Sequence, residues 1–164
     1  TFQITSVMKS MTVSENIQLA TDKIRENSLN FFTTFTNRNY VLDKIEFCLG
    51  QVGLIEANNQ PVASLSHGDC RKLEIAMALA SDAKLLLLDE PMAGLGPSET
   101  QEMIALLNKL KGKQTILLVE HDMDAVFALA DRISVLVSGE IIATGEPNNI
   151  RRDSKVQKAY LGEA

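Results

Sequence analysis

Leu85-Leu86-Leu87-Leu88-Asp89-Glu90-Pro91 is the stretch on which the reading of this chain turns. A short, unbroken apolar run of this kind suits a β-strand buried on both faces of a parallel sheet. It ends abruptly in two adjacent carboxylates. Acids at the edge of a buried strand are costly to place unless a cation or a transferable proton uses them. In nucleotide hydrolases the first acid of such a pair holds Mg²⁺ through water, and the second polarises the water that attacks the γ-phosphate. The run alone equally fits a strand whose Asp89 caps the next turn and whose Glu90 is merely solvated.

The flanking sequence extends the strand into an alternating pattern. A helix is expected to open near Asp69, with Leu73, Ala76, Met77 and Ala80 on its apolar stripe. Downstream, Pro97 stands where a first helical residue is favoured, Met103, Ile104, Leu107 and Leu110 recur at helical spacing, and Gly112 can stop the helix. Thr115 to Val119 reads as a second buried strand, and Asp122 can cap a helix carrying Met123, Val126, Phe127 and Ala130. Ile133 to Val137 and Ile141 to Thr144 flank Ser138-Gly139-Glu140, a hairpin signal. Val156 and Tyr160, four apart, mark a final helix.

The N-terminal part reads differently. Thr12-Val13-Ser14-Glu15 fits a capping box ahead of Val13, Ile17, Ala20 and Ile24. A second helix is expected from about Tyr40, with Val41, Leu42, Ile45, Cys48, Leu49 and Val52 on one face and Gly53 at its end. Ala57 to Pro61 is a polar breaker. The expected division is therefore a helical part over residues 1–80 and an α/β part over residues 81–164, with a mostly parallel sheet flanked by helices.

Composition narrows the function classes. The chain has 164 residues, 45% hydrophobic and 23% charged, which is enough apolar content to bury a core. No stretch approaches the ~18 apolar residues of a membrane span. A net charge of −5 argues against general nucleic-acid binding, which calls for a basic face. Cys48 and Cys70 lack metal-site spacing and are expected to be buried thiols in a reducing compartment.

Two further features bear on chemistry. Leu65-Ser66-His67-Gly68-Asp69 is a small turn entering a helix, and such a turn presents free amides and the positive end of the helix dipole to an anion. The same residues also fit an ordinary helix cap by Ser66 or Asp69. His121 follows the second strand and Glu120, where an imidazole can donate to a phosphate, relay a proton or simply pack.

Taken together, the order, spacing and local sequence of these features resemble one family, the ATP-binding cassette ATPases, over essentially the whole chain. Leu65 to Asp69 resembles the signature loop, usually written LSGGQ. Leu85 to Pro91 resembles the Walker B strand with its catalytic glutamate, and Ala93-Gly94-Leu95-Gly96 resembles the D-loop. His121 stands where the switch histidine belongs, and Gln3 within Thr1-Phe2-Gln3 resembles the Q-loop glutamine. Met11-Thr12-Val13-Ser14-Glu15-Asn16-Ile17, Leu73-Glu74-Ile75-Ala76 and the ending Val156 to Gly162 are similar to the ATPase subunits of branched-chain amino acid importers and their urea-importer relatives.

The resemblance implies a P-loop nucleotide hydrolase core with a helical subdomain, acting as a head-to-tail dimer of ATPase subunits on the cytoplasmic face of the inner membrane. It implies ATP and Mg²⁺ as ligands, with Asp89 and Gln3 at the metal and Glu90, His121 and Gln3 in hydrolysis. Ser66, His67, Gly68, Asp69 and Gly94 would meet ATP across the dimer. Transmembrane permease subunits are the implied docking partners of the segment between Gln3 and Leu65, and nucleic acid is not. A cassette ATPase acting outside transport would be expected to carry tandem cassettes or long inserted arms. A purely docking module would show no hydrolysis.

Three positions depart from the pattern. Asp69 stands where Gln is usual, His67 where Gly is usual, and Gly96 where an acid or amide is usual. No G-x-x-x-x-G-K-[ST] occurs, and Gly112-Lys113 is followed by Gln114 at a helix end. The chain is thus expected to be the C-terminal part of a cassette, cut at the Q-loop. By itself it is expected to bind ATP weakly or not at all, and to leave part of its sheet uncovered.

Overall fold

A computed structural model describes residues 7–22 and 36–160. The chain divides into two compact units, Thr1–Val119 and Glu120–Ala164. The expected division at 80/81 falls inside the first unit.

In the first unit, helices α1 (Val13–Asp22), α2 (Thr36–Val52) and α3 (His67–Ala80) pack on one another. Their buried residues are Val13, Asn16, Ile17, Ala20 and Thr21 of α1, Val41, Ile45, Cys48, Leu49 and Val52 of α2, and Gly68, Leu73 and every residue from Ile75 to Ala80 of α3. In α1 and α2 the buried apolar residues follow the stripes legible in the sequence, except that Leu42, expected on the α2 face, is exposed; α3 is buried all round over its last six residues, because α1 and α2 both pack on it. Burial of these side chains is the main stabilising term. The capping box forms as expected. The Glu15 amide donates to Thr12 Oγ1 at 3.3 Å, and the Thr12 amide donates to Glu15 Oε2 at 2.7 Å. Helix α2 starts at Thr36, four residues before Tyr40, because its polar first turn carries no apolar stripe to announce it.

Between α2 and α3 the chain makes two short 3₁₀ turns, Ile55–Ala57 and Val62–Ser64. This connection is tied to the residues before α1. The Val13 amide donates to the Gln60 carbonyl, Val62 to Met11 and Ala63 to Lys9, at 3.0 to 3.2 Å. Asn16, fully buried, completes the tie: its Oδ1 accepts from the Met8 amide at 2.7 Å, and its Nδ2 donates to the Met8 and Thr12 carbonyls at 3.1 and 2.9 Å.

Strand β1 (Leu85–Asp89), helix α4 (Pro97–Leu110) and strand β2 (Thr115–Val119) form a β–α–β unit. The strands are parallel and in register from Leu85 against Thr115 to Asp89 against Val119. Met103, Leu107 and Leu110 of α4 are buried as the apolar spacing required, Leu106 is buried beside them, and Ile104 of the expected stripe is half-buried. One face of the strand pair is uncovered, in keeping with the expectation that part of the sheet is left bare, so the strand is not buried on both faces. Within β1 only Leu86 is fully buried, while Leu85 is 44% exposed and Leu117 and Val119 of β2 are each 56% exposed. Period-two alternation explains the split: Leu85, Leu87, Leu117 and Val119 share one face of the strand pair, and that face is the more accessible.

In the second unit, α5 (Met123–Leu129) is followed by a hairpin of β3 (Ile133–Val137) and β4 (Glu140–Gly145), then α6 (Pro147–Arg152) and α7 (Ser154–Tyr160). The hairpin turn is Ser138-Gly139, both with positive φ (50° and 86°), the geometry that follows the twist of antiparallel strands. Among the described residues the sheets are therefore one parallel and one antiparallel pair. Ile133, Val135, Ile150 and Val156 form the core of this unit, and the Arg151 guanidinium lies 4.4 Å from the centroid of the Phe127 ring. Helix α6 has no counterpart in the sequence reading, since its six residues, Pro147 to Arg152, carry one large apolar side chain, Ile150, and so no stripe.

Candidate functional site

The site is built at the C-terminal end of β1. Asp89 is the last residue of the strand and is exposed at its edge, paired in register with Val119. Glu90 follows, also exposed, with φ of 45°, a left-handed conformation rare for a residue with a side chain. Such a conformation costs about 1–2 kcal/mol and persists where its surroundings hold it. Both backbone groups of Glu90 are held. Its amide donates to the Val119 carbonyl at 2.9 Å, and its carbonyl accepts from the Ala93 amide at 3.0 Å. The strand thus ends in a fixed bend with two carboxylates at a sheet edge.

The signature-like turn forms at the N-terminus of α3. Ser66 is the N-cap, exposed, and its Oγ accepts from the Asp69 amide at 3.0 Å. The capping role weighed from the sequence is real, and it leaves the Ser66 hydroxyl proton available for a further partner. The departure at Asp69 also finds its explanation. Its carboxylate pairs with Lys72 at 3.3 Å, and Lys72 in turn reaches Glu102 of α4 at 2.7 Å. Burial alone would lower the Lys72 pKa, but the bonds to Glu102 and Asp69 outweigh it and raise the value above the ordinary lysine range.

The two turns touch. His67 Nε2 lies 3.3 Å from the Ala93 carbonyl oxygen, a bond that places the ring proton on Nε2. Gly94, with φ of 77°, sits under the same ring, where a β-carbon would lie 3.2 Å from Nε2. Gly68 is buried against Glu99 of α4, whose Oε2 accepts from the Gly96 amide at 3.1 Å. Neither contact is visible in the sequence, because both join residues more than 25 positions apart. Asn16, which the sequence reading left as a motif letter, is the other residue whose role only the fold reveals.

His121 opens the second unit. Its side chain is 74% exposed, its amide donates to Glu120 Oε2 at 3.1 Å, and its Nδ1 stands 4.0 Å from that carboxylate oxygen. The Asp122 carboxylate caps α5 as expected, accepting from the Asp124 and Ala125 amides at 3.0 and 3.1 Å. Gln3 lies outside the described residues. Of the cysteines, Cys48 is buried as expected, and burial pushes its thiol up to about 11; Cys70, also expected to be buried, is only half-buried, with its Sγ 4.0 Å from the Val62 carbonyl oxygen.

The donor set fits Mg²⁺ of the kind that nucleotide sites use. Among the described residues no cluster of three or more His, Cys, Asp or Glu is placed to cage a metal. One exposed carboxylate at a strand end suits an ion that takes one or two protein oxygens and completes its shell with phosphates and water.

A parallel β–α–β unit whose first strand ends in adjacent acids, joined to a helix whose N-terminus is turned to solvent, belongs to the P-loop nucleoside-triphosphatase class as the cassette ATPases build it. A solved ATP-binding cassette of an ABC transporter, MJ1267, superposes with a TM-score of 0.77 at 28% identity, over 98% of this chain and 66% of that one. Its ADP conformation gives 0.71 at the same identity, over 94% of this chain and 64% of that one. Within that class the chain belongs to the ABC transporter family, whose model matches residues 1–93. A second model, described as a branched-chain amino acid ATP-binding cassette transporter, matches residues 140–164. The chain is 39% identical to the high-affinity branched-chain amino acid transport ATP-binding proteins LivG of Escherichia coli (strain K12) and BraF of Pseudomonas aeruginosa. Each alignment covers 100% of this chain and 67% of the relative, so the chain spans about two thirds of their length.

Proposed function

We propose that this chain is part of the ATP-hydrolysing subunit of an importer for branched-chain amino acids or a related small solute such as urea. The observation that carries the reading is Glu90, held in a left-handed bend at the exposed end of a parallel strand directly after Asp89. The names of the 39%-identical relatives support the substrate class.

In the proposed mechanism Asp89 and Gln3 orient the Mg²⁺ of a bound nucleotide, and the ion when present neutralises charge on the phosphates. Glu90 takes the proton of the attacking water. His121 donates to the γ-phosphate. Ser66, Gly68, Asp69 and Gly94 meet ATP held by a second ATPase subunit in a head-to-tail dimer, while the His67 ring, expected at the same contact, is engaged by the Ala93 carbonyl. An exposed helix N-terminus supports that part of the reading, because a nucleotide bound only within one subunit would have no use for it. Residues 1–80 then act as the Q-loop and helical part and residues 81–164 as the hydrolytic part.

Tyr40, Leu42 and Phe47 of α2 and the nearby Ile55 are all exposed apolar side chains, which supports docking of the helical part on a transmembrane permease. No described helix is long and apolar enough to cross a membrane. The names of the similar transport ATP-binding proteins support reading the subunit as a peripheral protein on the cytoplasmic face of the inner membrane. The 164 residues contain no phosphate-loop motif, and by themselves they are read as binding ATP weakly and hydrolysing none.

The test is Glu90→Gln in the full-length subunit. ATP binding is retained and hydrolysis falls by at least ~100-fold. Unchanged turnover removes Glu90 from the role of base, and micromolar ATP affinity of the 164 residues alone contradicts the assignment of the phosphate contacts elsewhere.

A further inference from the structure

The loop from Glu90 to Gly96 is anchored at three points, and two of them involve the signature-like turn. Its start is fixed by the Glu90 amide on the Val119 carbonyl. Its middle folds back, the Ala93 amide on the Glu90 carbonyl, so that the Ala93 carbonyl points away from the strand end and towards α3. That carbonyl is met by His67 Nε2 at 3.3 Å, with the ring lying over Gly94. Its end is fixed by Gly96 on Glu99, the side chain against which Gly68 is packed. Where the resembled motif has a glycine, position 67 of this chain has a side chain that reaches the loop leaving Glu90.

We propose that His67 is a positioning residue for hydrolysis: its imidazole bonds the signature-like turn to the Ala93 carbonyl and so holds the bend that presents the Glu90 carboxylate. The inference rests on the reading of Glu90 as the base. A left-handed glutamate is conformationally unfavourable and relaxes when its anchors loosen. The backbone bonds to Val119 and Ala93 are local to the strand end, Glu99 of α4 holds the far end of the loop at Gly96, and His67 is a side chain of α3 that reaches its middle. Glycine or alanine at position 67 supplies no such bond, whereas a side-chain amide can supply one.

The experiment uses the full-length subunit assembled with its membrane partners, comparing wild type, His67→Ala and His67→Gln for kcat, KM for ATP and Tm. His67→Ala lowers kcat about tenfold through misplacement of the base, with KM within twofold and Tm unchanged. His67→Gln recovers a large part of the loss. The proposal is overturned if His67→Ala keeps the wild-type kcat, if KM rises while kcat holds (a direct ATP contact), or if His67→Gln is no better than His67→Ala. Histidine ¹⁵N NMR of the same protein separates this failure from failure of the functional reading. A neutral His67 protonated on Nε2 supports the bond even if no ATP is hydrolysed, and the Nδ1-protonated tautomer overturns it.

Discussion

Gly68 lies so close to Glu99 that a methyl group added to it would sit 2.7 Å from Glu99 Oε1, with Cδ at 3.1 Å. A side chain at this position of the turn would therefore displace the carboxylate that holds the start of α4, before any nucleotide is considered. Gly68→Ala gains about 1 kcal/mol of helix propensity and loses about 1 kcal/mol as Glu99 leaves the Gly96 amide. Global stability is expected to stay nearly level. Hydrogen exchange at Gly96 is expected to quicken, and an unchanged rate there would show that Glu99 adapts without releasing its bond.

Asn16 supports the connection into the same turn from the other side. Asn16→Ala removes three hydrogen bonds and leaves the Met8 amide and the Met8 carbonyl without that partner. The expected loss is about 1–3 kcal/mol, read as a lower urea midpoint with an unchanged slope. A shift of a few tenths would mean that water replaces the amide.

The capping box gives a pH dependence with a definite sign. The bond from the Thr12 amide, then that from its hydroxyl, holds the Glu15 carboxyl below its ordinary 4.5. A carboxylate with a depressed folded pKa stabilises fully above the unfolded value and loses that contribution as pH falls through the folded one. Thermal unfolding of wild type and Glu15→Gln should thus differ most above pH 4.5 and converge on acidification below it. Parallel curves across that range would remove Glu15 from the box.

Cys48 offers a probe of α2–α3 packing. It is fully buried and burial pushes its thiol up to about 11, so at pH 8 it is almost wholly protonated as well as inaccessible. Cys70, half-buried and also raised by burial, is the thiol expected to react first with a disulfide reagent. Cys48 should react only at the rate at which the helices open. Equal rates for the two thiols in the native protein would show that the helical layer opens readily.

The helices with a continuous apolar stripe were legible because burial of one face writes a 3.6-residue period into the sequence, as in Val13, Ile17 and Ala20, or Met103, Leu107 and Leu110. The hairpin was legible from Ser138-Gly139, whose backbone angles few other pairs adopt at low energy. The start of α2 and the whole of α6 were not, since polar helical turns held by neighbours leave no such trace. The strand run misled in one respect. Four leucines announce a strand, but how far each face is covered depends on what packs there, and Leu85 and Leu117 are largely accessible.

Residue type and spacing by themselves determined the strands and the helices with an apolar stripe, the caps at Thr12, Ser66 and Asp122, and the placing of Asp89 and Glu90 at a strand end. Each of these is local, fixed by interactions within about four residues along the chain. Only the folded chain decided that Asp69 turns to Lys72, that His67 reaches Ala93, that Gly68 makes room for Glu99 and that Asn16 secures Met8. Most of those contacts join groups distant in sequence, and even the nearer ones depend on which way neighbouring elements turn a side chain, a choice that periodicity does not encode.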